Sequence, residues 1–164
     1  MRILDIIEAT TVDGPGFRTA VYFAGCAHRC PGCHNPQSWD FEGDAEVSVE
    51  ALADRLLEAG LDVTLSGGDP AYQAAEAALL ARAVRSAGHT VWLYTGFKFE
   101  QLISTAEGRR LAESVDVVVD GPYVESLRDN RLQFRGSANQ RIIDSQASLS
   151  ADSVALWHSP FAVD

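Results

Sequence analysis

The spacing of apolar and polar positions predicts strands first. Residues 2–10 and 19–24 each combine β-branched and apolar side chains in short runs, which is typical of strands. The stretch between them, Val12-Asp13-Gly14-Pro15-Gly16, is rich in turn-forming residues. We therefore expect the two strands to form an N-terminal hairpin.

Helical periodicity follows in three segments. The first spans residues 48–60, with Ser48 as N-cap, apolar residues on one face and Gly60 as terminator. The second begins at Pro70 and runs to residue 87, just before a glycine. A third helical segment is predicted over residues 100–113.

Short β-rich runs alternate with these helices. They are predicted at residues 62–65, 90–94 and 116–120, and weaker strand candidates follow at 140–143 and 153–157. This alternation predicts an α/β fold with a mostly parallel sheet and right-handed crossovers. Since 164 residues are too few for eight βα units, we expect an open, partial (βα) barrel, formed as a single domain over residues 1–164.

Polar or glycine-rich tips follow four of the predicted strands. In a parallel sheet the ligand site lies at the carboxyl ends of the strands. The sequence therefore predicts one shared rim, made of Gly25-Cys26, Ser66-Gly67-Gly68-Asp69, Thr95-Gly96 and Asp120-Gly121-Pro122.

Charge and composition narrow the class of protein. The formal net charge of −10, with Lys98 the only lysine, argues against nucleic-acid binding, which needs clustered cations. The arginines at 128, 131, 135 and 141 are interpreted as a solvated face in preference to an anion or partner contact. No apolar run is long enough to span a membrane, and the N-terminus lacks a secretory pattern, so we expect a cytoplasmic protein.

The three cysteines lie close together, as Cys26-x3-Cys30-x2-Cys33. An odd number packed this tightly is a poor disulfide framework and indicates a metal or redox site. Three thiolates can hold an iron–sulfur cube while leaving one iron open, because a filled cube needs four ligands. A structural zinc site, with His28 or His34 as fourth ligand, is the alternative.

Further motifs accompany the cysteines in order along nearly the whole chain. They are Val12-Asp13-Gly14-Pro15-Gly16-Phe17-Arg18, Cys30-Pro31-Gly32-Cys33-His34-Asn35-Pro36, Tyr94-Thr95-Gly96, Val119-Asp120-Gly121-Pro122-Tyr123 and Phe134-Arg135-Gly136-Ser137-Ala138-Asn139-Gln140-Arg141. Together these resemble the glycyl-radical-enzyme activases of the radical S-adenosylmethionine superfamily. Within them the motifs are most similar to the branch that acts on anaerobic ribonucleotide reductases.

The resemblance implies a cluster loop over residues 25–36, in which Cys26, Cys30 and Cys33 hold a [4Fe-4S] cluster whose open iron binds S-adenosylmethionine. A strand-end segment similar to the superfamily's Gly-Gly-Glu motif would receive the methionine amino group; it is Ser66-Gly67-Gly68-Asp69. Because Asp69 is one methylene shorter than glutamate, this contact is expected to run through backbone carbonyls or water.

Other residues acquire roles through the same resemblance. Thr95 and Gly96 would approach the ribose or the methionine carboxylate, and Asp120 would lie across the mouth of the site. His34 would stack near the adenine or link the cluster loop to solvent. For Thr95 and Asp120, an ordinary strand end or turn is an equally good interpretation.

The implied reaction is reductive cleavage of S-adenosylmethionine to methionine and a 5′-deoxyadenosyl radical, which takes a hydrogen atom from a glycine of the partner reductase. The implied partners are the glycyl radical subunit of an anaerobic ribonucleoside-triphosphate reductase and an electron donor such as flavodoxin or ferredoxin. Asp13 and Arg18 would hold the rim or contact the reductase. A second candidate docking surface is formed by Arg135, Asn139 and Arg141.

Three alternatives stay open at this stage. One is an activase for another glycyl radical enzyme, of the pyruvate formate-lyase type. Another is a small radical S-adenosylmethionine enzyme that acts on a metabolite. The third is a ferredoxin-like or zinc-dependent binding module, against which the lack of a fourth cysteine argues.

Overall fold

Seven strands lie in one sheet in the computed structural model, which describes residues 1–42 and 45–159. They are β1 (Arg2–Thr10), β2 (Arg18–Phe23), β3 (Ala45–Glu46), β4 (Asp62–Gly67), β5 (Val91–Tyr94), β6 (Val117–Asp120) and β7 (Arg141–Asp144). Their order across the sheet is β3-β1-β2-β4-β5-β6-β7.

The central pairs, β2·β4, β4·β5 and β5·β6, are parallel. Both edges are antiparallel, since β1 pairs with β2 and β3, and β7 pairs with β6. The predicted N-terminal hairpin and the α/β class are confirmed, whereas the expectation of a mostly parallel sheet holds only for its middle. Strand β7 runs antiparallel because its connection from β6 contains a short 3-10 turn, Glu125–Leu127, and no crossover helix.

Four helices lie in the connections between the parallel strands, and a fifth follows β7. They are α1 (Val49–Ala59), α2 (Ala74–Ser86), α3 (Phe99–Leu102), α4 (Ala106–Glu113) and α5 (Ser145–Ala151). The predicted ends of α1 are confirmed: the Ser48 hydroxyl accepts from the Ala51 amide at 3.1 Å, and Gly60 takes the left-handed conformation with φ 64°. No helix among the described residues is long and apolar enough to cross a membrane.

Two sequence-based expectations about elements were wrong. The single helix over residues 100–113 is broken, because the Thr105 hydroxyl accepts from the Gly108 amide at 3.1 Å and starts α4 anew. The strand at 153–157 is reduced to one bridge, between Leu156 and Ile143. Helix α5 (Ser145–Ala151) lies before this bridge and is capped by the Asp144 side chain. The sequence had not predicted it.

The two faces of the sheet differ. Helices α1, α2 and α4 pack on one face over a large apolar core that includes Val21, Leu65, Leu93 and Val118. On the other face a smaller aromatic cluster surrounds Trp92. Because successive side chains of a strand point to opposite faces, the residues between the core positions face away from the helices.

Arg18 lies inside the protein, at the start of β2. Its side chain is 1% exposed, and its guanidinium donates to the Thr64 hydroxyl at 2.9 Å and to the Val63 carbonyl at 2.7 Å. It also pairs with Asp62 at 3.6 Å. The expectation that Arg18 contacts a partner is therefore wrong, because the side chain is enclosed by the sheet it stabilises.

We expect Arg18→Met to lower the free energy of unfolding by about 2–4 kcal/mol, because it leaves the Val63 carbonyl and Thr64 hydroxyl buried without their donor. Urea denaturation of the two proteins measures the difference. The control is Arg55→Met, which removes an exposed pair with Glu8 and should cost less than about 1 kcal/mol. Equal losses in the two variants would contradict the structural role of Arg18.

Candidate iron–sulfur and cofactor site

A cavity of about 350 Å³ opens at the carboxyl ends of β2, β4, β5 and β6, in the size range of small-molecule sites. It collects residues from all four predicted strand tips and from the cysteine loop. The sequence-predicted site residues that line it are Asp13, Cys26, Cys30, Cys33, His34, Ser66, Gly67, Gly68, Thr95 and Gly96. The rim expected from strand ends is therefore present as one cavity.

Backbone hydrogen bonds hold the cysteine loop against the tip of β4. The Gly68 amide donates to the Phe23 carbonyl at 2.8 Å, and the Asp69 amide donates to the Gly25 carbonyl at 2.9 Å. Gly68 lies so close to the loop that an added Cβ would meet the Gly25 oxygen at 2.5 Å. Only glycine allows this approach, which explains the glycine at position 68.

The three thiols are free and lie in different surroundings. Cys26 is 8% exposed, while Cys30 and Cys33 are half-buried. Burial raises the pKa of the Cys26 thiol, and the backbone amides of His28 and Arg29 lower it in part. The Cys33 sulfur accepts from the Asn35 amide at 3.4 Å. Backbone donors of this kind stabilise thiolate ligands.

Asp69 does not line the cavity. Its side chain is 1% exposed, and Oδ2 accepts from the Thr95 hydroxyl at 2.9 Å, from the Gly96 amide at 2.9 Å and from His28 Nε2 at 3.0 Å. Oδ1 accepts from the Ala71 amide at 2.9 Å. The carboxylate thus connects the tips of β4 and β5 with the cysteine loop.

Asp120 also points away from the cavity. It is 1% exposed, accepts from the Phe99 amide at 2.7 Å, and forms an ion pair with Arg141. Arg141 in turn binds Glu100 at 2.8 Å, and its hydrogen bonds lower the pKa of Glu100 to about 2. The structure places Asp120 in a network that joins β6, β7 and α3, and not across the mouth of the site.

Asp13 reaches the cavity from the turn after β1. Its carboxylate accepts from the Tyr22 hydroxyl and from the Thr10 hydroxyl, both at 3.3 Å. Burial, followed by the nearby Asp13 charge, raises the pKa of Tyr22 to about 12. Tyr22 therefore stays protonated and directs its hydroxyl toward Asp13 at neutral pH.

The segment around residues 134–141 forms a wall of the cavity. Arg135 donates to the Gln140 carbonyl at 2.6 Å, and Asn139 donates to the Pro122 carbonyl at 2.8 Å. These contacts tie both side chains to neighbouring loops, with Arg135 half-buried and Asn139 exposed. The wall brings Tyr123 near the cluster loop, with its ring centroid 5.1 Å from that of His34.

Several lining residues had not been predicted as site residues. They are Tyr22, Asn35, Tyr94, Tyr123, Gly136 and Gln140, whereas Gly121 had been expected at the rim and His28 only as an alternative zinc ligand. Most lie inside the motifs quoted above, so the motif boundaries were a signal for them. Tyr22 could have been found by strand alternation, since it pairs with Ser66 in the parallel register of β2 and β4.

Comparison with known proteins gives this α/β chain its class, that of an iron–sulfur protein. The chain matches the model of the 4Fe-4S single cluster domain family over residues 12–143. It is 33% identical to the anaerobic ribonucleoside-triphosphate reductase-activating protein of Salmonella typhimurium over 152 aligned residues, covering 85% of this chain and 96% of that protein.

Two further relatives carry the same name. The Escherichia coli K12 protein is 32% identical over 140 residues, covering 79% of this chain and 89% of its own. The phage T4 protein is 34% identical over 139 residues, covering 80% of this chain and 86% of its own. The chain belongs to the family of anaerobic ribonucleoside-triphosphate reductase-activating proteins and carries its 4Fe-4S domain.

We expect Gly68→Ala to lower the iron and sulfide content after anaerobic reconstitution several-fold. The added methyl group would meet the carbonyl oxygens of Gly25 and Ser38 at 2.5 and 2.9 Å, and backbone atoms cannot move aside as side chains do.

The matched control is Gly136→Ala, at the cavity wall. There the new methyl group meets only the Tyr123 ring at 3.0 Å, beside Gln140, and a ring can shift. Full iron content in the Gly68 variant would contradict the tight packing of loop on strand tip.

Proposed function

We propose that this protein cleaves S-adenosylmethionine reductively at a [4Fe-4S] cluster held by Cys26, Cys30 and Cys33, and thereby forms a glycyl radical on an anaerobic ribonucleoside-triphosphate reductase. The observation that carries the proposal is a shared cavity: all three thiols line it together with the strand tips Ser66-Gly67-Gly68 and Thr95-Gly96. The relatives' names supply the reductase as target.

The cysteines fit a cluster with one open iron. The chain has three cysteines and therefore no fourth thiolate to fill a cube. The match to the 4Fe-4S single cluster domain family includes the cysteine loop and favours a cluster over the zinc alternative.

When bound and reduced, the cluster supplies the electron that splits S-adenosylmethionine into methionine and a 5′-deoxyadenosyl radical. The chain's own residues would bind and orient the cofactor. Ser66 and the backbone of Gly67 and Gly68 offer polar groups for its amino and carboxylate ends. His34 and Tyr123 also line the cavity, and their rings would offer a stacking surface for the adenine.

The protein partner would enter from the mouth of the cavity. We propose that the sheet is an open, partial (βα) barrel and that residues 1–164 form one radical S-adenosylmethionine domain. The open edge of such a barrel would admit a glycine-bearing loop of the reductase. Asp13, which lines the cavity and accepts from Tyr22, is the candidate contact for that loop. A flavodoxin or ferredoxin would deliver the electron in the cytoplasm.

The test is anaerobic reconstitution with iron and sulfide, reduction with dithionite, and electron paramagnetic resonance with and without S-adenosylmethionine. We expect a [4Fe-4S]⁺ signal that changes shape when S-adenosylmethionine is added, with 5′-deoxyadenosine accumulating. The Cys33→Ser variant should lose the product, because one ligand of the cluster is missing.

A cluster whose spectrum ignores S-adenosylmethionine would overturn the proposal, as would a tightly bound zinc ion. A different result would reject only the proposed target. In that case 5′-deoxyadenosine forms equally with and without the reductase, and a small metabolite loses the hydrogen atom.

A further inference from the structure

The Asp69 carboxylate occupies an unusual position for a residue next to a ligand cavity. It is 1% exposed, and its four hydrogen bonds come from two backbone amides, one hydroxyl and one imidazole. A buried carboxylate is tolerated only with such compensation. Its accepting capacity is directed into the protein, so no oxygen faces the cavity for a ligand.

His28 is the donor that connects this carboxylate to the cysteine loop. A carboxylate only accepts, so the Nε2 atom at 3.0 Å from Oδ2 carries the hydrogen. The ring is packed tightly on two further sides. An added Cβ at Gly96 would meet His28 Cδ2 at 2.5 Å, and the Phe97 ring centroid lies 4.5 Å away in an edge contact.

The same residue lies midway between two of the cysteines, two positions after Cys26 and two before Cys30. Its side chain is held by Asp69, so this contact anchors the part of the loop that carries both thiols. Arg29 has a positive φ of 46°, so the loop turns sharply here and depends on outside contacts to keep its shape.

We propose that Asp69 and His28 form a clamp that positions the Cys26 end of the cluster loop, and that Asp69 acts on the cluster through His28 instead of receiving the amino group of S-adenosylmethionine. Asp69 and His28 are positioning residues in this account. Hydrogen-bond partners beyond the ligands change metal affinity by about 10–100-fold. The statement about the amino group of S-adenosylmethionine rests on the proposed function, whereas the clamp itself does not.

The test is a double-mutant cycle on the reconstituted protein, with His28→Leu, Asp69→Asn and the pair. The first readout is the rate of cluster loss to an excess of iron chelator, without S-adenosylmethionine, followed by visible absorbance. We expect each single variant to lose its cluster about tenfold faster. The double variant should lose it no faster than the worse single one, because both changes break one contact.

Conservative and distant variants separate positioning from general destabilisation. His28→Gln retains an N–H donor and should restore slow cluster loss, which a merely misfolded loop would not show. His89→Leu removes a histidine of similar exposure beside Asp62, far from the cysteines, and should leave the rate unchanged. Additive effects in the double variant, or no rescue by glutamine, would overturn the clamp.

The second readout is the affinity for S-adenosylmethionine, from titration of the cluster's paramagnetic signal. We expect Asp69→Asn to change the dissociation constant less than about threefold, since the carboxylate has no oxygen toward the cavity. A loss of affinity above tenfold with unchanged cluster retention would assign Asp69 to the cofactor and reject the clamp. A protein that retains its cluster but never cleaves S-adenosylmethionine would reject the proposed function alone.

Discussion

Parallel pairing of β2, β4, β5 and β6 is the constraint on which the site depends. It places the carboxyl ends of four strands side by side, so Cys26, Gly67, Thr95 and Gly121 meet in one cavity although long helices separate them in sequence. The register is held from within by Arg18, which binds the start of β4. Without this pairing the residues that line the cavity would lie apart, because no single strand end carries the whole site.

The residues at the strand tips form two sets. One set faces the cavity, and the side chains of the other form hydrogen bonds within the protein. Cysteines, glycines and Ser66 face inward, whereas Asp69 and Asp120 turn back into hydrogen-bonded networks. The two carboxylates stabilise neighbouring tips, and through His28 the first also reaches the cysteine loop. An open cavity next to buried, hydrogen-bonded carboxylates suits the proposed cofactor, which would itself carry the chemistry.

Much of this could be predicted from the sequence because strand and helix ends carry local signals. The caps of α1, the β1–β2 hairpin and the four tips follow from turn residues and alternation, and the cysteine spacing indicates a metal or redox site. The direction in which a side chain turns at a tip depends on partners far along the chain. Asp120 is captured by Arg141, and Arg18 is enclosed by β4, so neither could be placed from local pattern. Helix α5 was missed because its cap, Asp144, is also the last residue of strand β7.

The proposed function ends in a radical delivered to another protein. The most direct measurement is electron paramagnetic resonance of anaerobic ribonucleoside-triphosphate reductase after incubation with the reduced, reconstituted protein and S-adenosylmethionine. We expect a glycyl radical doublet on the reductase that grows with 5′-deoxyadenosine and fails to form with a Cys26→Ser variant. Accumulation of 5′-deoxyadenosine with no radical on the reductase would contradict it.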